Sequence, residues 1–84
     1  MAIKITEEGG IHPTEITCLK DMQRAVGGYI EVARNNVEYE GKKYTMLCDE
    51  EGLLKGKSIN EWAIEHHRIP VVGDILLVDD KEFN

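Results

Sequence analysis

Three parts of the chain alternate apolar and polar residues or are wholly apolar, and each predicts β-structure. Residues 2–6 place Ile3 and Ile5 on one side, which predicts a first strand that ends at a glycine-containing turn. Residues 29–48 alternate but contain Asn-Asn and Glu-Gly pairs, so they predict a long, bulged hairpin. Residues 75–78 have no polar interruption and predict a strand covered on both faces. The His-Pro pair after the first turn predicts an extended or irregular segment, because the residue before a proline avoids helical angles.

Two other stretches repeat apolar residues every three or four positions, which predicts amphipathic helices. The first helix is expected to begin at Thr17 as its N-cap and to end at Gly27 in the left-handed conformation. The second is expected to begin at Ser58, because the sequence 58–61 (Ser-Ile-Asn-Glu) has the form of a capping box. It continues through Trp62, which we expect in the core, and Pro70 prevents it from extending further.

The order of elements is therefore strand, helix, hairpin, helix, strand, within a single domain over residues 1–84. This order predicts an α+β fold with a single-layer, mostly antiparallel sheet and two helices packed on one face. The opposite face then needs the N-terminal segment, a second subunit or a ligand to cover it. Tyr29, Tyr44 and Met46 fall on that face and are the candidate interface residues. Residues 79–84 are charged and predict a frayed tail.

The composition is that of a soluble globular domain, with 42% hydrophobic and 31% charged residues. A net charge of −6 argues against direct nucleic-acid binding, which depends on Lys and Arg. An acidic surface can instead meet a basic partner or imitate nucleic acid. The first residues contain no hydrophobic signal core, and no apolar run reaches membrane-spanning length, so the expected location is the cytoplasm, without membrane association.

The glycine pair at 27–28 is the most distinctive local feature of the chain. Gly27 is accounted for as the end of a helix, but Gly28 is not, and it is a candidate for contact with a ligand. Asp49 and Glu50 begin an acidic turn whose oxygens suit a divalent cation, although a solvated turn is the simpler interpretation. Asn60 has an amide that can hold a neighbouring loop or a ligand. These four residues, Gly28, Asp49, Glu50 and Asn60, are the candidate ligand-binding set.

No combination of residues predicts catalysis, a metal site or a cofactor. His66 and His67 are adjacent on a helix and point about 100° apart, so they cannot hold one metal ion together. Cys18 and Cys48 form no CxxC motif and have apolar neighbours, so both are expected to be buried and unreactive. Ser58 is occupied as a helix cap. The chain is therefore expected not to be an enzyme.

A set of short motifs in this chain resembles the family catalogued as domain of unknown function 3846. The motifs are Met22-Gln23, Val26-Gly27-Gly28-Tyr29-Ile30-Glu31, Asp49-Glu50-Glu51-Gly52, Asn60 with Ala63, and Gly73-Asp74 before an apolar strand. They span residues 19–80 and leave residues 1–13 outside the resemblance. Where the family often has Leu-Pro, this chain has Ser58-Ile59. The resemblance implies an origin in bacteriophages, mobile elements or the bacteria that carry them, and an α+β fold; it implies no established activity.

The leading expectation is a non-enzymatic protein-interaction module that acts as an oligomer on a host protein in the bacterial cytoplasm. The exposed apolar sheet face motivates this expectation. The alternative is a protein that binds or sequesters a small molecule or nucleotide through the four candidate ligand-binding residues. A further alternative is an acidic mimic of nucleic acid.

Overall fold

A computed structural model describes residues 2–80, which form an α+β domain with one antiparallel five-stranded sheet and two helices. The elements are β1 Ala2–Ile5, β2 Ile11–Thr14, α1 Leu19–Val26, β3 Ile30–Tyr39, β4 Lys42–Asp49, α2 Glu61–His67 and β5 Ile75–Asp79. The strands lie in the order β2-β1-β5-β4-β3. Neither helix in this part of the chain has the length and apolar content needed to cross a bilayer.

The uninterrupted apolar segment forms the central strand, as its sequence predicts. In β5, Ile75, Leu76 and Leu77 are completely buried, and Leu77 pairs with Ile3 on one side and Met46 on the other. The strand extends to Asp79, which pairs with β4, so the predicted tail does not begin there. Residues 81–84 of that predicted tail lie outside the described residues.

Both edges of the sheet carry features that disfavour the addition of another strand. β2 is an edge strand that the sequence prediction described only as extended or irregular; Pro13 lies opposite Ile3 in its ladder, and an edge position tolerates the missing amide. At the other edge, β3 shifts register between Val32 and Arg34 and again between Arg34 and Val37. The predicted bulged hairpin, formed by β3 and β4, is therefore confirmed. The hairpin of β1 and β2 at the start of the fold was not predicted.

The two helices pack on opposite faces of the sheet, so the prediction that they share one face is wrong. Val26 of α1 belongs to a hydrophobic cluster with Leu47, whereas Trp62 of α2 belongs to a second cluster with Met46. Met46 and Leu47 are consecutive in β4 and therefore point to opposite faces. Both faces of the sheet are apolar, and each receives one short helix.

This arrangement removes the reason for predicting an open sheet face. Tyr44 is 8% exposed and Met46 is fully buried, because both lie in the cluster covered by α2. Tyr39 contacts the rings of Tyr44 and Trp62 edge-on, with centroid distances of 6.2 and 5.9 Å. Tyr44 and Met46 are therefore core residues, and the prediction that they form an interface is wrong. Tyr29 alone of the three is strongly exposed.

The first helix begins one residue later than predicted. Cys18 is its N-cap and makes no side-chain capping bond. The amide and hydroxyl of Thr17 instead donate to the Asp21 carboxylate at 2.9 and 2.8 Å, which fixes the first turn from outside the helix. Gly27 ends the helix in the left-handed region, with φ of 85°, as predicted.

The second helix begins at Glu61, so the predicted capping box at Ser58 is wrong. Asn60 is the N-cap, and its Oδ1 accepts a hydrogen bond from the Ala63 amide at 3.0 Å. Ser58 lies two residues earlier, where its carbonyl accepts from the Gly73 amide. The helix ends at His67, ahead of the proline that was expected to prevent its extension.

Candidate functional site

An apolar groove of about 310 Å³ opens between the first residues of β3, the end of β4 and the segment that joins α2 to β5. We call it the apolar groove. Its apolar lining includes Val32, Ala33, Leu53, Ile69, Pro70 and Val71. Three acidic residues, Glu31, Asp49 and Glu50, also belong to the lining. The volume lies near the lower end of the range of roughly 300–1,000 Å³ for ligand pockets, so it suits one or two side chains.

Exposed apolar side chains surround this groove. Val32 is 42% exposed on the edge strand, and Leu53 is 80% exposed in the loop that follows β4. Leu54 is 86% exposed next to Leu53 but lies outside the lining of the groove. Fully burying a leucine is worth about 1.5–3 kcal/mol. Folding of the isolated chain leaves two consecutive leucines in water without this stabilisation, which makes the region an unusual surface for an isolated domain.

The loop that carries these leucines, residues 50–57, is anchored by the buried carboxylate of Asp49. Lys55 Nζ and Lys57 Nζ each lie 2.8 Å from its Oδ2, and the Glu51 amide donates to its Oδ1 at 2.9 Å. We call the two lysines and this carboxylate the lysine clamp. The clamp joins both ends of the loop to the end of β4, so Leu53 is presented on a held loop.

The lysine clamp also ends helix α1. Lys57 donates to the carbonyl of Val26 at 2.9 Å and Lys55 donates to the carbonyl of Gly27 at 3.0 Å. The last carbonyls of a helix have no partner within the helix and carry partial negative charge, so ammonium groups stabilise them. The same two lysines thus neutralise Asp49 and connect the loop to the opposite helix.

The electrostatics of Asp49 follow from these contacts. Burial alone raises the pKa of a carboxyl group, but the hydrogen bonds from Lys55 and Lys57 outweigh it and hold the pKa of Asp49 well below its usual range. The group is therefore an ionised structural anion at neutral pH. Its oxygens are bonded to the protein, and among residues 2–80 no group of three or more His, Cys, Asp or Glu side chains is placed to hold a metal ion.

Gly28 is required by the lysine clamp. A Cβ atom at this position would lie 2.5 Å from Asp49 Oδ1 and 2.7 Å from Lys55 Nζ, which is closer than side-chain carbons approach. The absence of a side chain therefore lets the end of α1 approach the ion pair. This is a structural reason for the second glycine, which the helix end alone does not explain.

Asn60 is a fully buried connecting residue. Its Nδ2 donates to the carbonyls of Ile5 and Thr6 at 3.1 Å and of Gly73 at 2.9 Å, while its Oδ1 caps α2 through Ala63. The side chain therefore ties the end of β1, the start of α2 and the approach to β5 together. The expectation that its amide holds a neighbouring loop is confirmed, and the amide is not accessible to a ligand.

The structure does not bring the four candidate ligand-binding residues to one pocket. Asp49 and Glu50 line the apolar groove, whereas Gly28 lines a second cleft together with Gln23, Tyr29, Glu51 and Lys55. Asn60 lies in the interior. Sequence reasoning missed the leucines of the 50–57 loop; their signal was two consecutive leucines between glycines, in a segment with no strand or helix to bury them.

The two cysteines differ in environment. Cys18 is exposed, contrary to the prediction that both are buried, and Cys48 is buried as predicted. Burial, together with the charges of Glu31 and Asp49, raises the pKa of the Cys48 thiol to about 11. Cys48 is therefore a protonated packing residue at neutral pH, which does not suit a nucleophile.

The two histidines of α2 pack against the tryptophan of the core. The rings of His66 and His67 lie 5.5 and 4.8 Å from that of Trp62. Burial lowers the pKa of His67, and the nearby positive charges of His66 and Arg34 lower it further. His67 therefore favours its neutral form in the folded protein.

The chain was compared with protein families, curated proteins and solved structures. The family described as Domain of unknown function (DUF3846) matches residues 1–84, including the first 13 residues, which the short motifs did not reach. No curated protein and no solved structure matches the chain.

Proposed function

This chain belongs to the DUF3846 family, and on that premise we propose that it is a non-enzymatic protein-binding module that uses the apolar groove. The origin in phages or mobile elements that the family resemblance implies makes a protein of the bacterial host the expected partner, met in the host cytoplasm. Leu53 carries the proposal, because it is 80% exposed at the groove while the loop that holds it is anchored.

An anchored apolar side chain beside an apolar depression has the properties of a binding hot spot. Binding surfaces derive most of their free energy from a few apolar or aromatic anchors in desolvated pockets. Ordering a loop upon binding costs free energy, and a loop already held by the lysine clamp avoids much of that cost. The position of Leu53 is thus explained by a partner that covers it, whereas folding of the isolated chain leaves it in water.

The chemistry of the surrounding residues supports binding over catalysis. The thiol of Cys48 is buried and protonated, and the carboxylate of Asp49 is held by two ammonium groups. Neither is available as a nucleophile or a general base. Self-association through the sheet is not part of the proposal, because α2 covers the face that motivated it.

Binding of a small molecule or nucleotide is the second proposal, and it uses the cleft at Gly28. Tyr29 is 66% exposed there, and Lys55 uses two of its three donors on Asp49 and Gly27. A stacking ring and one remaining ammonium donor suit a small aromatic compound, and Glu51, which also lines the cleft, disfavours one with a high negative charge. A nucleotide panel in a thermal-shift assay tests it, and a melting temperature unchanged by every compound contradicts it. The acidic mimic of nucleic acid stays a prediction from the net charge.

The leading proposal is tested with matched leucine variants. Tagged wild type, Leu53→Ser and Leu54→Ser are used to capture proteins from a bacterial lysate, and each captured protein is purified and titrated against all three by calorimetry. We expect a partner whose affinity falls at least about tenfold with Leu53→Ser and stays unchanged with Leu54→Ser, which is equally exposed but outside the groove. Partners that respond equally to both variants, or none that responds to Leu53, overturn the proposal. Trp62 fluorescence verifies that all three proteins are folded.

A further inference from the structure

The charges around the apolar groove indicate the chemistry of what it binds. Resting on the proposed function, we propose that its occupant is a partner segment in which a bulky apolar side chain is flanked by lysine or arginine. Glu31 and Glu50 are exposed members of the lining, and no Lys, Arg or His lines the groove among the described residues. An apolar side chain would enter the groove while neighbouring basic groups meet the two glutamates.

The two lysines that hold Asp49 do not line the groove. Lys55 and Lys57 are directed to Asp49 and to the carbonyls at the end of α1. One of their two positive charges compensates Asp49, so the three acidic groups of the lining and the two lysines together carry a net charge of −1. Glu31 and Glu50 belong to the lining and the lysines do not, so the glutamates are the charged groups that an incoming segment meets.

A second copy of this chain is a poor occupant. The loop that presents its leucines carries Glu50 and Glu51, while its two basic residues, Lys55 and Lys57, are held by Asp49 and the end of α1. The whole chain has a net charge of −6. Like charges brought together across an interface cost free energy and suppress that pairing. A basic segment of another protein is attracted by the negative potential of this chain, which stabilises the complex and accelerates its association.

Recognition through side chains fits this edge of the sheet better than addition of a strand. β3 borders the groove, and its ladder with β4 is interrupted by two register shifts. Such bulges prevent a regular row of backbone hydrogen bonds to an incoming strand. Specificity then depends on the apolar side chain in the groove and on the charges next to it.

The test is a selection from displayed random 12-residue peptides against the wild-type protein, with counter-selection on Leu53→Ser. In the groove-dependent peptides, we expect Lys and Arg to be at least about threefold more frequent at the positions within two of the shared apolar residue than in the starting library. A synthetic peptide from this set is then titrated against charge variants. Glu31→Lys and Glu50→Lys each weaken its binding about threefold or more at low salt, and the loss shrinks at high salt. Glu51→Lys is the matched control, because Glu51 is the next residue in the loop and lies outside the groove.

Each outcome separates the charge inference from the proposed function. Groove-dependent peptides that are neutral or acidic overturn the inference and leave the protein-binding proposal intact. Equal effects of Glu50→Lys and Glu51→Lys on the basic peptide overturn it as well. A selection in which no peptide depends on Leu53 overturns both, because then no segment enters the groove.

Discussion

Replacement of Asn60 by alanine is expected to cost about 4 kcal/mol of unfolding free energy. The change removes the acceptor of the Ala63 amide and the donor to three carbonyls, in a side chain that is fully buried. Each such hydrogen bond contributes roughly 1 kcal/mol, and buried groups left without a partner cost more than that. An 84-residue domain has a total stability of roughly 4–13 kcal/mol, so the loss takes a large part of it.

The measurement is urea unfolding followed by the fluorescence of Trp62. This residue is the single tryptophan, is 8% exposed and follows Asn60 by two positions. At about 1 kcal/mol per molar urea, the expected loss moves the midpoint by about 4 M. Asn60→Ser keeps an acceptor for the helix cap and is expected to lose about 1 kcal/mol less, so a value is obtained even if the alanine variant does not fold.

Ser58→Ala is the control that separates this structure from the capping box that the sequence predicts. The Ser58 amide donates to the Glu7 carboxylate and its carbonyl accepts from Gly73. An alanine keeps both main-chain contacts, so the replacement is expected to change stability by less than about 0.5 kcal/mol. If Ser58→Ala costs as much as Asn60→Ala, or if Asn60→Ala costs less than about 1 kcal/mol, the assignment of Asn60 as the connecting residue is refuted.

Three further predictions concern the clamp, the thiols and the pH dependence. Gly28→Ala is expected to lose about 1–3 kcal/mol of stability, because the new methyl group meets Asp49. In a double-mutant cycle measured by urea unfolding, the same replacement should cost less in an Asp49→Ala background. Equal losses in the two backgrounds contradict this reason. Iodoacetamide is expected to label Cys18 in the folded protein and Cys48 only after unfolding, as read by mass spectrometry of peptides; simultaneous labelling contradicts the difference in burial. Stability is expected to fall as the pH drops from about 7 to 5, because the pKa of His67 is lower in the folded chain than its ordinary 6.5 and the unfolded chain takes up the proton first. In His67→Gln, the urea midpoint should depend less on pH over this range. A pH dependence equal to that of the wild type contradicts the assignment to His67.

Sequence patterns predicted those parts of the fold that depend only on the residues of a single helix or strand. The apolar segment at 75–78 became the central strand, and Gly27 ended its helix, because each depends on the residues themselves. The strand at Pro13 was not predicted, since proline is rare in strands and only an edge position tolerates it. The side of the sheet on which each helix packs was also missed. It depends on which of two apolar faces is uncovered, and local sequence does not contain that information.

The candidate site was harder to predict because its parts are distant in the chain. Asp49 was selected as an oxygen donor for a ligand, and its actual partners are lysines six and eight positions later that also bond the end of α1. Gly28 appeared unexplained for the same reason. Asn60 was selected as an amide for a ligand or a neighbouring loop, and it bonds the neighbouring backbone; nothing in the spacing indicated that it replaces Ser58 as the helix cap.

The position of β5 has a consequence for the order in which this chain folds. β1 with β2 and β3 with β4 are hairpins formed from neighbouring residues, which close within microseconds. β5 lies between them and must pair with β1 from the other end of the chain, a closure with a high entropic cost. Until residues 75–79 arrive, the two hairpins share no ladder and expose their apolar faces to water. Substitutions in β5 are therefore expected to slow the joining of two preformed halves, and variants with a delayed β5 are the ones in which aggregation competes with folding.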